Sequence, residues 1–141
     1  MVSNEVRTVW EPRLLSVLRI MSALLLLQHG TQKFLGFPPF PAGRSAPAMM
    51  GMSWWAGVIE LVCGTLLVIG LFSRPAAFLA SGMTAVAYWY AHAGQNFYPI
   101  LNNGELAALY CFVFLYLSVA GPGPWSVDAK LRQDGKLPAW A

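Results

Sequence analysis

The sequence predicts an all-α integral membrane protein built as a four-transmembrane-helix bundle. Composition makes the first case. Of 141 residues, 57% are hydrophobic and 11% are charged, whereas soluble domains carry roughly 25% charged residues. The second observation is segmental: four apolar stretches near 20 residues each, the length that spans a bilayer, are separated by Pro, Gly and aromatic punctuation. At this length a single domain over residues 1–141 is expected.

The first helix is expected over residues 14–36, entered through Arg7, Trp10 and Arg13. The run LLLLQHGTQK at 24–33 offers no small-x-small cleavage site, and further apolar segments follow, so the helix reads as retained rather than as a signal peptide. A Pro/Gly-rich loop, FPPFPAGRSAP, covers residues 37–47. The second helix, 54–71, opens on the interfacial pair Trp54 and Trp55 and stops at Gly70. Ser73, Arg74 and Pro75 form a short turn into a third helix over 75–91, with Pro75 suited to its first position. A polar connection, HAGQNFYPILNN, leads to the fourth helix at 104–120, which Gly121-Pro122-Gly123-Pro124 ends. Residues 125–141 form a short surface tail, with Ser126 able to start a helix.

Positive charge sets the expected orientation. With both termini cytoplasmic, Arg7, Arg13, Arg19, Arg74, Lys130, Arg132 and Lys136 lie inside and only Lys33 and Arg44 outside. A multi-pass protein of the cytoplasmic membrane follows from that reading. No cluster of Lys and Arg suits a nucleic-acid backbone, so nucleic acid is not an expected partner; the lipid bilayer is.

Sorting the polar residues of the spans by depth brings them to one end, the outer one. His29 and Lys33 close the first helix, and Glu60 lies six residues into the second, ~9 Å deep. His92 and Asn96 follow the third helix, and Asn102, Asn103 and Glu105 sit at the outer start of the fourth. Gln28 with Gln32, and His29 with Lys33, are four apart and form a polar wall ~140° wide that should face the bundle. There Glu60 is the counter-charge for Lys33 or for protonated His29. Two uses of such a group remain open: a structural clamp between helices, or a polar pocket open to the outer side. At the inner end Arg19 is expected to snorkel or to reach Asp128, and Arg74 to anchor orientation. Cys63 and Cys111 lie apart in apolar segments without C-x-x-C spacing and read as packing residues.

The strings HGTQK at 29–33, AGVIELVCGTLLVIGLFSRPAA at 56–77, NNGE at 102–105 and GPGPWSVD at 121–128 resemble, in order, the DoxX family of small bacterial membrane proteins. The resemblance implies a four-helix membrane protein. Some members do redox work, as a thiosulfate:quinone oxidoreductase or in a membrane oxidoreductase complex answering oxidative stress. It carries interest to His29, Lys33, Glu60, Arg74, Asn103 and Glu105.

Function is therefore expected along two lines. In the first, the chain is a membrane subunit of a quinone-linked redox complex. His29, Lys33, Glu60 and Glu105 would act chemically, and Gln28, Gln32, His92 and Asn103 would bind the cofactor. An imidazole with its reference pKa of ~6.5 suits proton transfer to a quinone oxygen. No haem, iron–sulfur, dinucleotide or P-loop motif occurs, so a redox protein partner would supply electrons. In the second, the chain is a non-catalytic scaffold or binds a lipid or other small molecule. A metal site of His29, His92, Glu60 and Glu105 lacks the Glu-x-x-His pairing of di-metal bundles and is not expected. Gly57 with Gly64, or Ala80 with Gly82, offer close helix contact for a homo-oligomer.

Overall fold

A computed structural model describes residues 4–138; the last three residues of the expected surface tail, 139–141, lie outside them. A π-helical turn, Val6–Trp10, runs directly into α1, Glu11–Leu35. Then come α2, Met52–Ile69, α3, Ser73–Ala91, the single turn α4, Pro99–Asn102, α5, Glu105–Ala120, and α6, Val127–Gln133. Among the described residues there is no strand.

The first three long helices start before the expected positions, and α1 and α2 also end earlier than expected. Helix α1 begins before residue 14 because Pro12 occupies its first turn, where a missing N–H does no harm. It ends at Leu35 because Gly36 turns left-handed at φ 64°. Helix α2 starts at Met52, two residues early, and ends where Gly70 adopts φ 73°. Helix α3 starts at Ser73 rather than Pro75: the backbone N–H groups of Phe72 and Ser73 each donate to the Asp128 carboxylate at 2.8 Å. A carboxylate from another element thus caps the orphan donors of this helix. The polar connection after α3 contains α4, which the sequence reading missed; Asn103 at φ 56° and Gly104 separate it from α5.

The four long helices form a bundle in which α1 packs along α2, α2 on α3, and α3 along α5. Helices α1 and α5 barely touch, so a seam stays open between them. The core is built from small and polar side chains: Ala23, Cys63, Ala76, Ala77 and Ala80 are buried with Ser16, Ser22, Ser73, Ser81 and Thr84, around Leu26, Leu67, Phe114 and Leu117. The large apolar side chains face outward instead, among them Leu14, Leu18, Met21, Leu25, Val62, Phe78, Leu79, Val86, Phe112, Leu115 and Val119. This is the inverse of a water-soluble bundle. Small residues let backbones approach, and large apolar groups meet an apolar solvent. Two helical stretches, Val6–Leu35 and Met52–Ile69, are long and apolar enough to cross a membrane; α5 is apolar but shorter.

Gly57 and Gly64, expected as contacts between copies, are used within the chain. A Cβ on Gly64 would lie 3.1 Å from Cα of Leu27, and one on Gly57 would lie 2.8 Å from the Phe34 ring. Gly30 of α1 answers them, its Cβ position being 2.8 Å from the backbone nitrogen of Leu61.

Candidate functional site

At the end of the bundle that holds the loop after α1, the three glycines bring α1 and α2 close enough for short side-chain contact. Lys33 Nζ lies 2.8 Å from both Glu60 Oε1 and Oε2. The Glu60 side chain is 9% exposed and that of Lys33 20%, so the carboxylate is sealed while the ammonium keeps a path outward. Because α2 begins at Met52, Glu60 lies eight residues inside its helix, ~12 Å deep rather than ~9 Å. A carboxylate at that depth needs its partner.

His29, one turn before Lys33, is half-buried, and its ring stands edge-on to Tyr110 of α5 with centroids 6.5 Å apart. Neither ring nitrogen makes a hydrogen bond among the described residues. Tyr110 is buried and stacks on Phe114 at 5.6 Å. The site thus draws His29 and Lys33 from α1, Glu60 from α2 and Tyr110 from α5. Sequence reasoning passed over Tyr110 because a lone tyrosine in an apolar helix gives no signal that its ring meets a histidine more than 80 positions away.

The remaining expected residues go elsewhere. Gln28 is exposed rather than turned into the bundle, because a wall ~140° wide exceeds the stripe that one helix neighbour covers. Gln32 holds the loop, donating to the carbonyls of Pro38 and Pro39 at 3.2 Å each. His92 joins a separate cluster: its Nδ1 is 2.9 Å from the Asn102 carbonyl, and its ring stacks on Tyr88. The buried amide there is Asn102, not Asn103, which is exposed. Asn102 Nδ2 donates to the Asn96 carbonyl at 2.8 Å and its Oδ1 accepts from Gly104 N–H at 2.8 Å. Glu105 is exposed in the first turn of α5, where a carboxylate complements the helix dipole. Among the described residues no three His, Cys, Asp or Glu side chains gather for a metal, so His29, His92, Glu60 and Glu105 do not form one centre.

At the opposite end, which holds the start of α1 and helix α6, the charges cap helices. Arg19 is fully buried rather than snorkelling, and it does not ion-pair with Asp128. Its guanidinium donates to the carbonyls of Leu67 and of Val68 (3.0 Å), which end α2, and to those of Pro122 (2.8 Å) and Trp125 (2.5 Å). Arg74 donates to the Ser118 (3.2 Å) and Val119 carbonyls near the end of α5. Both arginines sit where orphan carbonyls and the negative end of the dipole attract a cation. Cys63 and Cys111 are free; Ser81 Oγ donates to the Cys111 carbonyl at 2.8 Å.

The model of the DoxX family matches residues 14–93, more than half of the chain, with the whole of α2 and α3 and all of α1 but its first three residues. This chain belongs to the DoxX family. An uncharacterized protein of Haemophilus influenzae is 44% identical over 124 residues, covering 86% of this chain and 92% of its own length. An uncharacterized membrane protein of Mycobacterium tuberculosis is 31% identical, covering 82% of this chain and 80% of its own. The inner membrane protein YphA of Escherichia coli is 30% identical, over 84% of this chain and 91% of its own. No solved structure matches. This DoxX protein is therefore an all-α integral membrane protein, and the outward-facing leucines and phenylalanines meet lipid.

Proposed function

We propose that this DoxX protein is a multi-pass inner-membrane subunit of a quinone-linked redox complex, with α1, α2, α3 and α5 crossing the bilayer and both termini cytoplasmic. The distribution of Lys and Arg supports the orientation, seven against two. The name of the Escherichia coli relative supports the compartment. On this reading the Lys33–Glu60 end faces outward.

The observation that carries the redox reading is the grouping of Lys33, Glu60, His29 and Tyr110, with both imidazole nitrogens of His29 free of hydrogen bonds beside a buried ion pair. This donor set fits a quinone head: an ammonium, an imidazole and a phenol are suited to its two carbonyl oxygens. A quinone, when bound, would accept electrons delivered by a partner protein together with protons. Lys33 orients the Glu60 carboxylate by gripping both oxygens. His29 would pass a proton from a ring nitrogen toward a quinone oxygen, and Glu60 would take one up at an Oε and pass it on, the direction that quinone reduction requires. Glu105, Gln28 and His92 have no part in it, because they lie outside this grouping.

A non-catalytic scaffold is the second reading. It is favoured by the symmetry of the ion pair, which satisfies both carboxylate oxygens and locks α1 to α2. The deciding measurement is quinone content and binding of protein purified in mild detergent, natural sequence against Glu60→Gln, with thermal unfolding followed in parallel. The redox reading expects saturable binding that the substitution abolishes in a protein that remains folded. Absence of binding to the natural sequence would give the scaffold reading the lead.

A further inference from the structure

The open seam between α1 and α5 widens, at the end holding the start of α1 and helix α6, into a cleft of about 590 Å³. Arg7, Glu11, Leu15, Tyr116, Pro122 and Arg132 are among its lining residues. A second cleft of about 540 Å³ shares Arg7, Glu11, Leu15 and Tyr116 with it and continues up α1 past Leu14 to Leu18. From Arg7 to Leu18 the helical rise is ~16 Å, so one continuous groove runs from a charged mouth into the apolar zone.

The mouth carries two guanidinium groups, those of Arg7 and Arg132. Neither Arg7 nor Arg132 makes an ion pair among the described residues. Arg132 donates only through Nε to the Asp128 carbonyl at 3.4 Å, and Arg7 makes no side-chain hydrogen bond. Glu11 also lines the mouth, leaving a net charge of one positive. These features define an occupant: one phosphate carrying a single negative charge, a hydroxyl that can donate to Glu11, and an acyl chain to lie along Leu15, Leu18 and Tyr116. A free phosphate would leave the apolar arm unfilled, and a helix from a second copy would leave two arginines unpaired.

We propose that this groove binds one anionic phospholipid of the phosphatidylglycerol type, with its phosphate between Arg7 and Arg132 and one acyl chain in the α1–α5 seam. The site is far from the Lys33–Glu60 pair and is independent of the quinone reading.

Native mass spectrometry of the full chain in detergent tests it. Phosphatidylglycerol, phosphatidylethanolamine and phosphatidylcholine with identical acyl chains are titrated separately, and inorganic phosphate is added as competitor. The expected result is one phosphatidylglycerol per chain, bound at least about tenfold more tightly than either zwitterionic lipid. Arg7→Gln with Arg132→Gln should remove that preference, Leu18→Trp should weaken all three lipids by filling the arm, and Arg44→Gln at the other end should change nothing. All substituted side chains are partly or fully exposed, so the fold should persist. Equal binding of the three lipids, or an unchanged preference in the double variant, would overturn the proposal. So would displacement of phosphatidylglycerol by phosphate at equal concentration, which would assign the mouth to a free anion. A lipid-free dimer dissolved by the double substitution would assign the seam to a second copy.

Discussion

At the scale of single residues the decisive contact is Lys33 with Glu60. A buried carboxylate stripped of its partner loses several kcal/mol of stabilisation, whereas removing both charges leaves only a packing defect. Lys33→Ala and Glu60→Ala should therefore each destabilise by roughly 3 kcal/mol, and the double substitution should cost clearly less than their sum. Reversible unfolding of the four proteins in detergent measures the coupling, and additive losses would mean the two groups do not act as a pair. Glu60 was legible before the fold as a counter-charge for the first helix, with Lys33 and His29 both open as its partner, and the structure chose Lys33. Its companion Tyr110 was not legible, since nothing local distinguishes a tyrosine facing His29 from one facing lipid.

At the scale of elements, the α1–α2 contact depends on close backbone approach. Gly30 faces the Leu61 backbone nitrogen at 2.8 Å from its Cβ position, and a backbone cannot step aside as a side chain can. Gly30→Ala should then separate the helices, lengthen the Lys33–Glu60 contact and destabilise by about 1–3 kcal/mol. Gly82 on α3 has nothing within 4 Å of its Cβ position, so Gly82→Ala should be neutral or slightly stabilising through helix propensity. Midpoints of thermal unfolding for the two variants provide the comparison; equal losses would mean that the close approach at Gly30 is not what limits packing. Helix ends were less legible than helix bodies. The start of α3 moved to Ser73 because Asp128, 55 residues on, supplies its cap, and such a remote cap leaves no trace in the local pattern.

For the whole molecule, the distribution of charge between the two ends yields a topology. Single cysteines replacing Arg44 and Lys136, both exposed, in a background lacking Cys63 and Cys111 should respond oppositely to a thiol reagent that cannot cross the membrane. Arg44→Cys should be labelled from outside intact cells and Lys136→Cys only after permeabilisation; the reverse pattern would invert the molecule. The two ends also differ in chemistry. One gathers an ion pair, an imidazole and a phenol; the other spends Arg19, Arg74 and Asp128 on helix termini and keeps Arg7 and Arg132 at the mouth of the groove.

Composition and segment length by themselves determined that this is a helical membrane protein, because apolar surface on that scale has no other solvent and four stretches of near-span length leave little alternative. Helical periodicity and depth likewise determined that polar groups meet at one end. Only the tertiary structure decided which of them touch. Gln28 faces outward, His92 turns to Asn102, and Arg19 takes the carbonyls of Leu67, Pro122 and Trp125 in place of Asp128. The reason is physical: burial is written locally in the apolar pattern, but a polar side chain chooses among distant donors and acceptors, most of them backbone atoms that every residue carries alike.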